Sequence, residues 1–478
     1  MSDTITKLFS FDDQHHFAAL SGDSNPMHMD PIAARRTQAG KPVVHGMHTL
    51  LWALNSLAIA RPDLRLPRTV RADFTSFLPV GSTAVLGRLS DDANPRVAVS
   101  CDGLTVMSVE LRYGCAISGR DAPVRRPDPE PAVSPSSAIV LDLSEVEGQH
   151  GSVAFATGLT EVEQAFPNAT QWLGRPRVAA MLCCTRLVGM VCPGLHSIFN
   201  RIDADFVAID ESANHLDYAV SSVDPRFRRA KISVSGGGMV GNLVTSVRHP
   251  PIRQSDIPTL ASSVDPVAFL GAKALVVGGS RGLGELTAKI LAAGGADLII
   301  TYARGQADAE RVAKEIIDWG GKCRVLQYDC LKDAAYQLGG EAASITHCYY
   351  YATSPIFAPS SRLFDKARFD TFTGIYVEGF YNLFEALRAA SVTGVNMYYP
   401  SSTSVAERPP GMNEYAMVKA AGEVMCAELN QRQKTMRVLV CRLPRLATDQ
   451  TASLVAEEAV SAFDIILPLV KQVQSATT

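Results

Sequence analysis

The feature that most constrains the first half of this chain is a repeat. "RPDLRLPRTVRADFTSFLPVG" (61–81) returns in outline as "CPGLHSIFNRIDADFVAIDES" (192–212), with Ala-Asp-Phe at the same place in each, so that Asp73 and Asp205 lie 132 residues apart. Alternating, β-prone runs follow both: "TAVLGRLS", "RVAVSCDG" and "LTVMSVELRYG" in the first, "LDYAVSSV", "AKISVSGGGMV" and "GNLVTSVRH" in the second. Upstream of each lies one long apolar segment at helical period, "GMHTLLWALNSLAIA" and "VAAMLCCTRLVGMVC". One helix followed by several antiparallel strands predicts an α+β unit whose curved sheet wraps the helix, present twice.

Proline-dense stretches at 118–137 and 248–266 read as extended connectors. They divide the chain into segments 1–117, 138–250 and 267–478, as 478 residues lead one to expect of more than one core. The third segment has a different grammar. "KALVVGGSRGLGELTAKILAAGGADLIITYA" reads strand, glycine turn, helix, strand, and apolar strands follow at "CRVLQYD", "THCYYYA", "VNMYYPS" and "RVLVCRLP". That alternation predicts an α/β, Rossmann-type doubly wound parallel sheet.

Composition removes several classes of function. A formal net charge of -3, with no run of Lys and Arg, gives no footprint for nucleic acid. No apolar stretch is long and unbroken enough for a membrane span, and "MSDTITKLFSFDD" lacks the layout of a signal peptide, so a cytoplasmic protein is expected. Ten cysteines stand singly or as the adjacent pair Cys183-Cys184, without CxxC or metal spacing, and read as buried thiols; no metal is expected.

Chemistry enters at "FAALSGDSNPMHMD" and again at "VVHGM". These two blocks, in this order, resemble the signature of the MaoC-like, hotdog-fold (R)-specific enoyl-thioester hydratases. The resemblance implies a double hotdog for the first two segments, with Asp23 and His28 as the catalytic pair, Asn25-Pro26 as the turn between them, and Gly46 opening the central helix. Hydration of a conjugated thioester suits such a set, because a water between carboxylate and imidazole can lose one proton as another reaches C2. The Gly46 N–H, at a helix start, can polarise the thioester carbonyl. The second copy lacks this equipment: Asp23 shifted by 132 falls on Phe155, and "RPRVAAM" stands for "VVHGM". As in double-hotdog relatives, one half is then catalytic and the other shapes the acyl pocket. Many relatives keep the motif in the later half; this chain keeps it in the first.

In the third segment Gly278, Ser280, Arg281, Gly282, Leu283 and Gly284 form a GxxxGxG turn between strand and helix, and "YAMVK" puts Tyr415 and Lys419 on one helical face. With Ser402 thirteen residues before Tyr415, the set resembles the short-chain dehydrogenase/reductase family. That resemblance makes Tyr415 the proton donor and gives Lys419 two tasks, lowering the Tyr415 pKa and holding the nicotinamide ribose. It has Ser402 orient the substrate carbonyl and Asp329 meet the adenine. An NAD site places an acid about 20 residues beyond the glycines. Here that position is Arg304, and Arg281 adds a second cation; two guanidiniums suit a 2′-phosphate, so NADPH is the expected cofactor. The sequence departs from the family at Tyr351-Ala352-Thr353, where Asn-Ala-Gly is usual, and at Tyr376, where the helix asparagine is usual. The usual last strand is missing after "RVLVCRLP", so the sheet is expected to be completed differently.

The two resemblances share a compound. A 3-oxoacyl thioester reduced at C3 is the 3-hydroxyacyl thioester that a hydratase interconverts with the 2-enoyl form. The expected function is therefore a bifunctional NADPH-dependent 3-oxoacyl-thioester reductase and (R)-3-hydroxyacyl-thioester dehydratase/hydratase, acting on an acyl-CoA or an acyl carrier protein thioester. Alternatives are a hydratase with an inactive reductase domain and a non-catalytic acyl-binding protein. The sequence leaves oligomeric state open, a homo-oligomer included.

Overall fold

The computed structural model describes residues 4–114, 132–356, 363–391, 394–448 and 460–475. Most of the first expected connector (118–137) lies outside the described residues. The chain divides into two compact units at Pro250/Pro251, so the first two expected segments make one unit.

The first unit holds ten strands: β1 (Ile5–Leu8), β2 (Thr69–Phe74), β3 (Thr83–Leu86), β4 (Arg96–Cys101), β5 (Leu104–Arg112), β6 (His150–Ala154), β7 (Ser197–Phe206), β8 (His215–Asp224), β9 (Arg229–Gly236) and β10 (Met239–Val247). They form one sheet in the order β1-β3-β4-β5-β2-β7-β10-β9-β8-β6, which reads as the same five-strand unit from either end. The two units join where β2 pairs antiparallel with β7, and the register carries the repeat: Asp73 faces Arg201 and Thr69 faces Asp205. Shifting Asp73 and Thr69 by 132 gives Asp205 and Arg201, so each pair is the image of the other. Arg201 bonds Asp73, and Thr69 bonds Asp205.

Each half sets one helix against the sheet. Gly46–Ala60 buries Met47, Leu50, Leu51, Leu54 and Leu57. Its counterpart, Arg175–Arg186, starts three residues earlier than the apolar run predicted, with Pro176 in its first turn. It then passes into a π-helical turn, Leu187–Val191. A helix buried on all sides belongs in a core, and Val178 through Cys192 are buried without a break. "AKISVSGGGMV" is two strands, β9 and β10, turned at Gly237-Gly238. The match of Asp23 to Phe155 fails, because the constant offset does not extend upstream of the shared strands. Phe155 directly follows β6, whereas Asp23 follows the helix Phe11–Ser21; by topology Asn25-Pro26 corresponds to Phe166-Pro167, where a proline again starts a short helix.

The second unit is a six-stranded parallel sheet of β11 (Lys273–Val277), β12 (Asp297–Tyr302), β13 (Lys322–Gln327), β14 (His347–Tyr350), β15 (Val395–Ser402) and β16 (Met436–Leu443), ordered β13-β12-β11-β14-β15-β16. Strand order reverses between β11 and β14, which opens a crevice at their carboxyl ends. Beyond β16 the described chain continues as the helix Ala462–Ser475, whose Ile466, Val470 and Val473 bury against the β11 side of the core. No helix among the described residues is long and apolar enough to cross a membrane, and the nine described cysteines are all free thiols.

Candidate active sites

In the first unit, local signals place the carboxylate and the imidazole. The helix Phe11–Ser21 opens on a Ser10/Asp13 capping box and stops at Gly22, whose φ of 73° suits glycine. Asn25 caps the next turn by accepting from the Met27 N–H, and Pro26 fixes its first position, which sets His28 opposite Asp23 across the bend. The Nδ1 of His28 donates to the Val43 carbonyl at 2.7 Å, leaving Nε2 as the base nitrogen.

Asp23 is 1% exposed. One carboxylate oxygen accepts the Asn25 N–H at 3.1 Å and the other accepts the Thr185 hydroxyl at 2.7 Å. Burial pushes its pKa above the ordinary value, opposed by His28, by these two donors and by Arg186. Burial also pulls His28 below its ordinary value, against the pull of Asp23. Thus the carboxylate and the imidazole are brought closer in proton affinity, which suits a pair that passes a proton in each direction.

A carboxylate oxygen of Asp23 and a ring nitrogen each of His28 and His45 lie within 4.8 Å of one another. The His28 and His45 rings stack, with centroids 3.8 Å apart and planes at 26°, so their lone pairs run side by side instead of converging on one ion. His45 is wholly buried, with Nε2 3.0 Å from the Asp23 carbonyl and Nδ1 3.1 Å from Gln14 Oε1. It backs His28 and ties the start of the Gly46 helix to the Asp23 bend.

Asp23, His28 and Gly46 line one cavity of about 70 Å³. Its remaining wall includes Phe74 from the first half and Thr185, Gly189 and Phe199 from the second. The Phe74 and Phe199 rings stand 5.2 Å apart, and Phe74 lies against the Gly46 α-carbon. The Gly46 N–H belongs to the first helical turn, where it has no intrahelical acceptor.

In the second unit, the β11 turn places Gly278 (φ 78°) and Gly282 (φ 58°) ahead of the helix Gly282–Ala293. A Cβ on Gly284 would stand 2.2 Å from the Gly278 carbonyl oxygen, so the turn closes on itself only with glycine there. Ser280 is buried in this turn, Arg281 is its last residue before the helix, and Leu283 is half-buried in the first helical turn. Arg304 is exposed two residues past β12. Asp329, two residues past β13, accepts the Leu331 N–H at 3.1 Å. Ser402 ends β15, and Tyr415 and Lys419 follow on the helix Asn413–Arg432.

The MaoC like domain family matches residues 2–85, and the short chain dehydrogenase family matches residues 272–459. The chain carries a MaoC-like domain followed by a short-chain dehydrogenase domain. Over 43 residues it is 46% identical to an (R)-specific enoyl-CoA hydratase of Aeromonas caviae, a match that spans 9% of this chain and 32% of that enzyme, about a third of its length. Over 190 residues it is 28% identical to an NADPH-dependent aldehyde reductase-like protein of Arabidopsis thaliana, covering 36% of this chain and 70% of that one. Among solved structures, a short chain dehydrogenase from Burkholderia cenocepacia in complex with NADP aligns at 22% identity and a TM-score of 0.39, covering 44% of this chain and 95% of that one.

In the short-chain dehydrogenase domain the lysine is buried among aromatic rings. Lys419 is 3% exposed, donates to the Pro400 carbonyl at 2.6 Å, and stands 3.9 Å from the centre of the Tyr376 ring. It lies 5.7 Å from the centre of the Tyr415 ring. Burial pushes Tyr415 up to about 12, eased by a hydrogen bond with Ser402, while burial pulls Lys419 down to about 7. The Tyr376 hydroxyl pairs with Thr353 at 2.6 Å, so the two departures from the family pattern meet each other. Tyr351 turns into the core and accepts from Thr287 at 2.8 Å.

The glycine turn fits a dinucleotide's phosphates: Gly278 and Gly284 have no room for a Cβ, and the turn feeds a helix N-terminus. Sequence reasoning had named none of Thr185, Gly189, Phe74 or Phe199, and had assigned no role to His45. Only His45, next to Gly46 in "VVHGM", carried a signal. Thr185 lies 162 residues from the carboxylate it binds, and no spacing rule reaches it.

Proposed function

We propose that the chain is a bifunctional NADPH-dependent 3-oxoacyl-thioester reductase and (R)-3-hydroxyacyl-thioester dehydratase/enoyl hydratase, with a double hotdog as its first 250 residues. The observation that carries this reading is the convergence of Asp23, His28 and Gly46 on one cavity walled partly by the second half. The sheet order, the same from either end, supports the double hotdog.

In the hydration direction, a water held between Asp23 and His28 adds its oxygen to C3 of the enoyl thioester. One member of the pair takes a proton from that water and the other delivers a proton to C2, so atoms balance and no redox partner is needed. Charge that gathers on the thioester oxygen is met by the Gly46 N–H. Dehydration is the same path reversed. The hydratase of Aeromonas caviae acts on enoyl-CoA by its name, which favours coenzyme A as the carrier over an acyl carrier protein.

In the other unit, Gly278, Ser280, Arg281, Gly282, Leu283 and Gly284 would hold the cofactor's phosphates. Arg281 and Arg304 would hold its 2′-phosphate, and Asp329 its adenine. When bound, NADPH supplies the hydride that reduces a C3 carbonyl. Tyr415 gives its phenolic proton to the carbonyl oxygen, Ser402 orients that oxygen, and Lys419 would hold the nicotinamide ribose and favour the ionised phenol. The Arabidopsis relative, NADPH-dependent by its name, favours the same cofactor.

A second reading, a hydratase whose reductase domain binds NADPH without turning over, is favoured by the seat of Lys419 on Tyr376. Two assays separate these readings. Hydration of crotonyl-CoA that is lost in Asp23→Asn and gives the (R)-alcohol supports the hydratase. NADPH binding followed by fluorescence, with no Tyr415-dependent oxidation on any 3-oxoacyl-CoA, would select the second reading.

A further inference from the structure

We propose that Thr185 and Gly189, from the second half, position the catalytic carboxylate of Asp23. The half without a catalytic motif is then part of the proton-transfer apparatus as well as a wall of the acyl pocket. This inference rests on the hydratase reading given above.

A threonine inside a helix ordinarily returns its hydroxyl to a carbonyl one turn back. Thr185, 4% exposed near the end of Arg175–Arg186, sends it instead to Asp23 at 2.7 Å. One residue later the α-helix gives way to the π-helical turn Leu187–Val191. That turn brings the Gly189 α-carbon against the same carboxylate: a Cβ there would stand 2.4 Å from one oxygen and 2.6 Å from the other. Gly189 also accepts from the Asn25 side chain at 2.8 Å, which ties the Asp23 bend to the second half. π-helical turns of this kind are common at functional sites, where one inserted residue re-aims a helix. The result is a carboxylate fixed from both halves, with the Asn25 N–H on one oxygen and the Thr185 hydroxyl on the other.

The other groups that face Asp23 are His28 on its short helix, His45 at the head of the Gly46 helix, and Arg186 beside Thr185; Arg248 faces His28. Among these contacts, the Thr185 hydroxyl is a donor that can be removed without changing volume. Losing it removes a hydrogen bond that is stronger to the charged form than to the neutral one, so the Asp23 pKa rises and the carboxylate is less often ionised and less well aimed.

The test uses the full chain and three variants. Thr185→Val is expected to lower kcat for crotonyl-CoA hydration about 10–100-fold. KM should stay within about threefold, and the acid limb of the pH profile should move to higher pH. Thr185→Ser is expected to restore both, and Gly189→Ala to abolish hydration by displacing the carboxylate. In parallel, infrared difference titration follows the Asp23 carboxyl band, assigned by its loss in Asp23→Asn. Its midpoint should rise in Thr185→Val and return in Thr185→Ser. An unmoved midpoint in Thr185→Val overturns the inference whatever the activity. A moved midpoint in a chain that hydrates no enoyl-CoA sustains the positioning role and removes the hydratase reading.

Discussion

Asp23→Asn should make the first unit inactive and more stable. Ionising a fully buried carboxylate costs several kcal/mol of lost hydration. Two donors oppose that cost, the Thr185 hydroxyl and the Asn25 N–H, each contributing about 1.5–3 kcal/mol as a bond to a charged acceptor. His28 and Arg186 assist, yet the Asp23 pKa stays above its ordinary 3.8, so a net penalty on the ionised form survives. The sign follows from linkage. A folded-state pKa above the unfolded one means that folding favours the protonated acid, so the stability it contributes is present in acid and lost as pH rises through the folded value. The neutral amide removes the penalty and keeps an acceptor for Thr185. For a unit of 250 residues, each kcal/mol of penalty removed raises Tm by about 2–4 °C. Calorimetry of the full chain at neutral pH should show the first unit's transition raised in Asp23→Asn, with the gain fading as pH falls toward the ordinary carboxyl range. A lowered Tm at neutral pH would refute the reasoning, because it would mean that the ionised carboxylate stabilises the fold.

Three further outcomes are expected. Hydration should lose rate on the acid side with an apparent pKa above 3.8, since burial raises Asp23; a limb at or below 3.8 contradicts this. The cavity of about 70 Å³ is roughly half the ~150 Å³ that admits benzene, so kcat/KM should favour crotonyl-CoA over 2-octenoyl-CoA. Phe199→Ala should narrow that preference, and equal rates in the unaltered chain would count against the Phe74–Phe199 wall. In the second unit, Arg304→Glu should weaken NADPH binding about 10–100-fold and leave NADH binding within a few-fold, as measured by fluorescence titration. Equal loss for both cofactors would place Arg304 away from the 2′-phosphate.

Much of the architecture is legible along the chain because it is written in local patterns. The glycine turn at 278–284 between an apolar strand and a helix announces the parallel sheet, and Asp-x-Asn-Pro-x-His announces a bend with a carboxylate and an imidazole on it. The shared Ala-Asp-Phe holds good in the β2/β7 register, because paired strands admit no slip without turning every side chain to the other face. The same offset misplaced the counterpart of Asp23 at Phe155, because loops upstream of those strands differ in length between the halves. Thr185 and Gly189 were illegible for another reason: they sit in a wholly buried helix whose sequence reads as core, and their meaning depends on a partner 162 residues away. The seat of Lys419 was equally hidden. Its spacing from Tyr415 is that of the family, and nothing along the chain shows that it bonds the Pro400 carbonyl and lies against the Tyr376 ring.

The central claim is that both units act on one intermediate. Its most direct measurement supplies acetoacetyl-CoA and NADPH to the full chain, follows NADPH by absorbance, and separates the acyl-CoA products by chromatography. The account predicts NADPH oxidation with both 3-hydroxybutyryl-CoA and crotonyl-CoA formed, no oxidation in Tyr415→Phe, and arrest at 3-hydroxybutyryl-CoA in Asp23→Asn. Crotonyl-CoA persisting in Asp23→Asn, or oxidation that survives Tyr415→Phe, would contradict it.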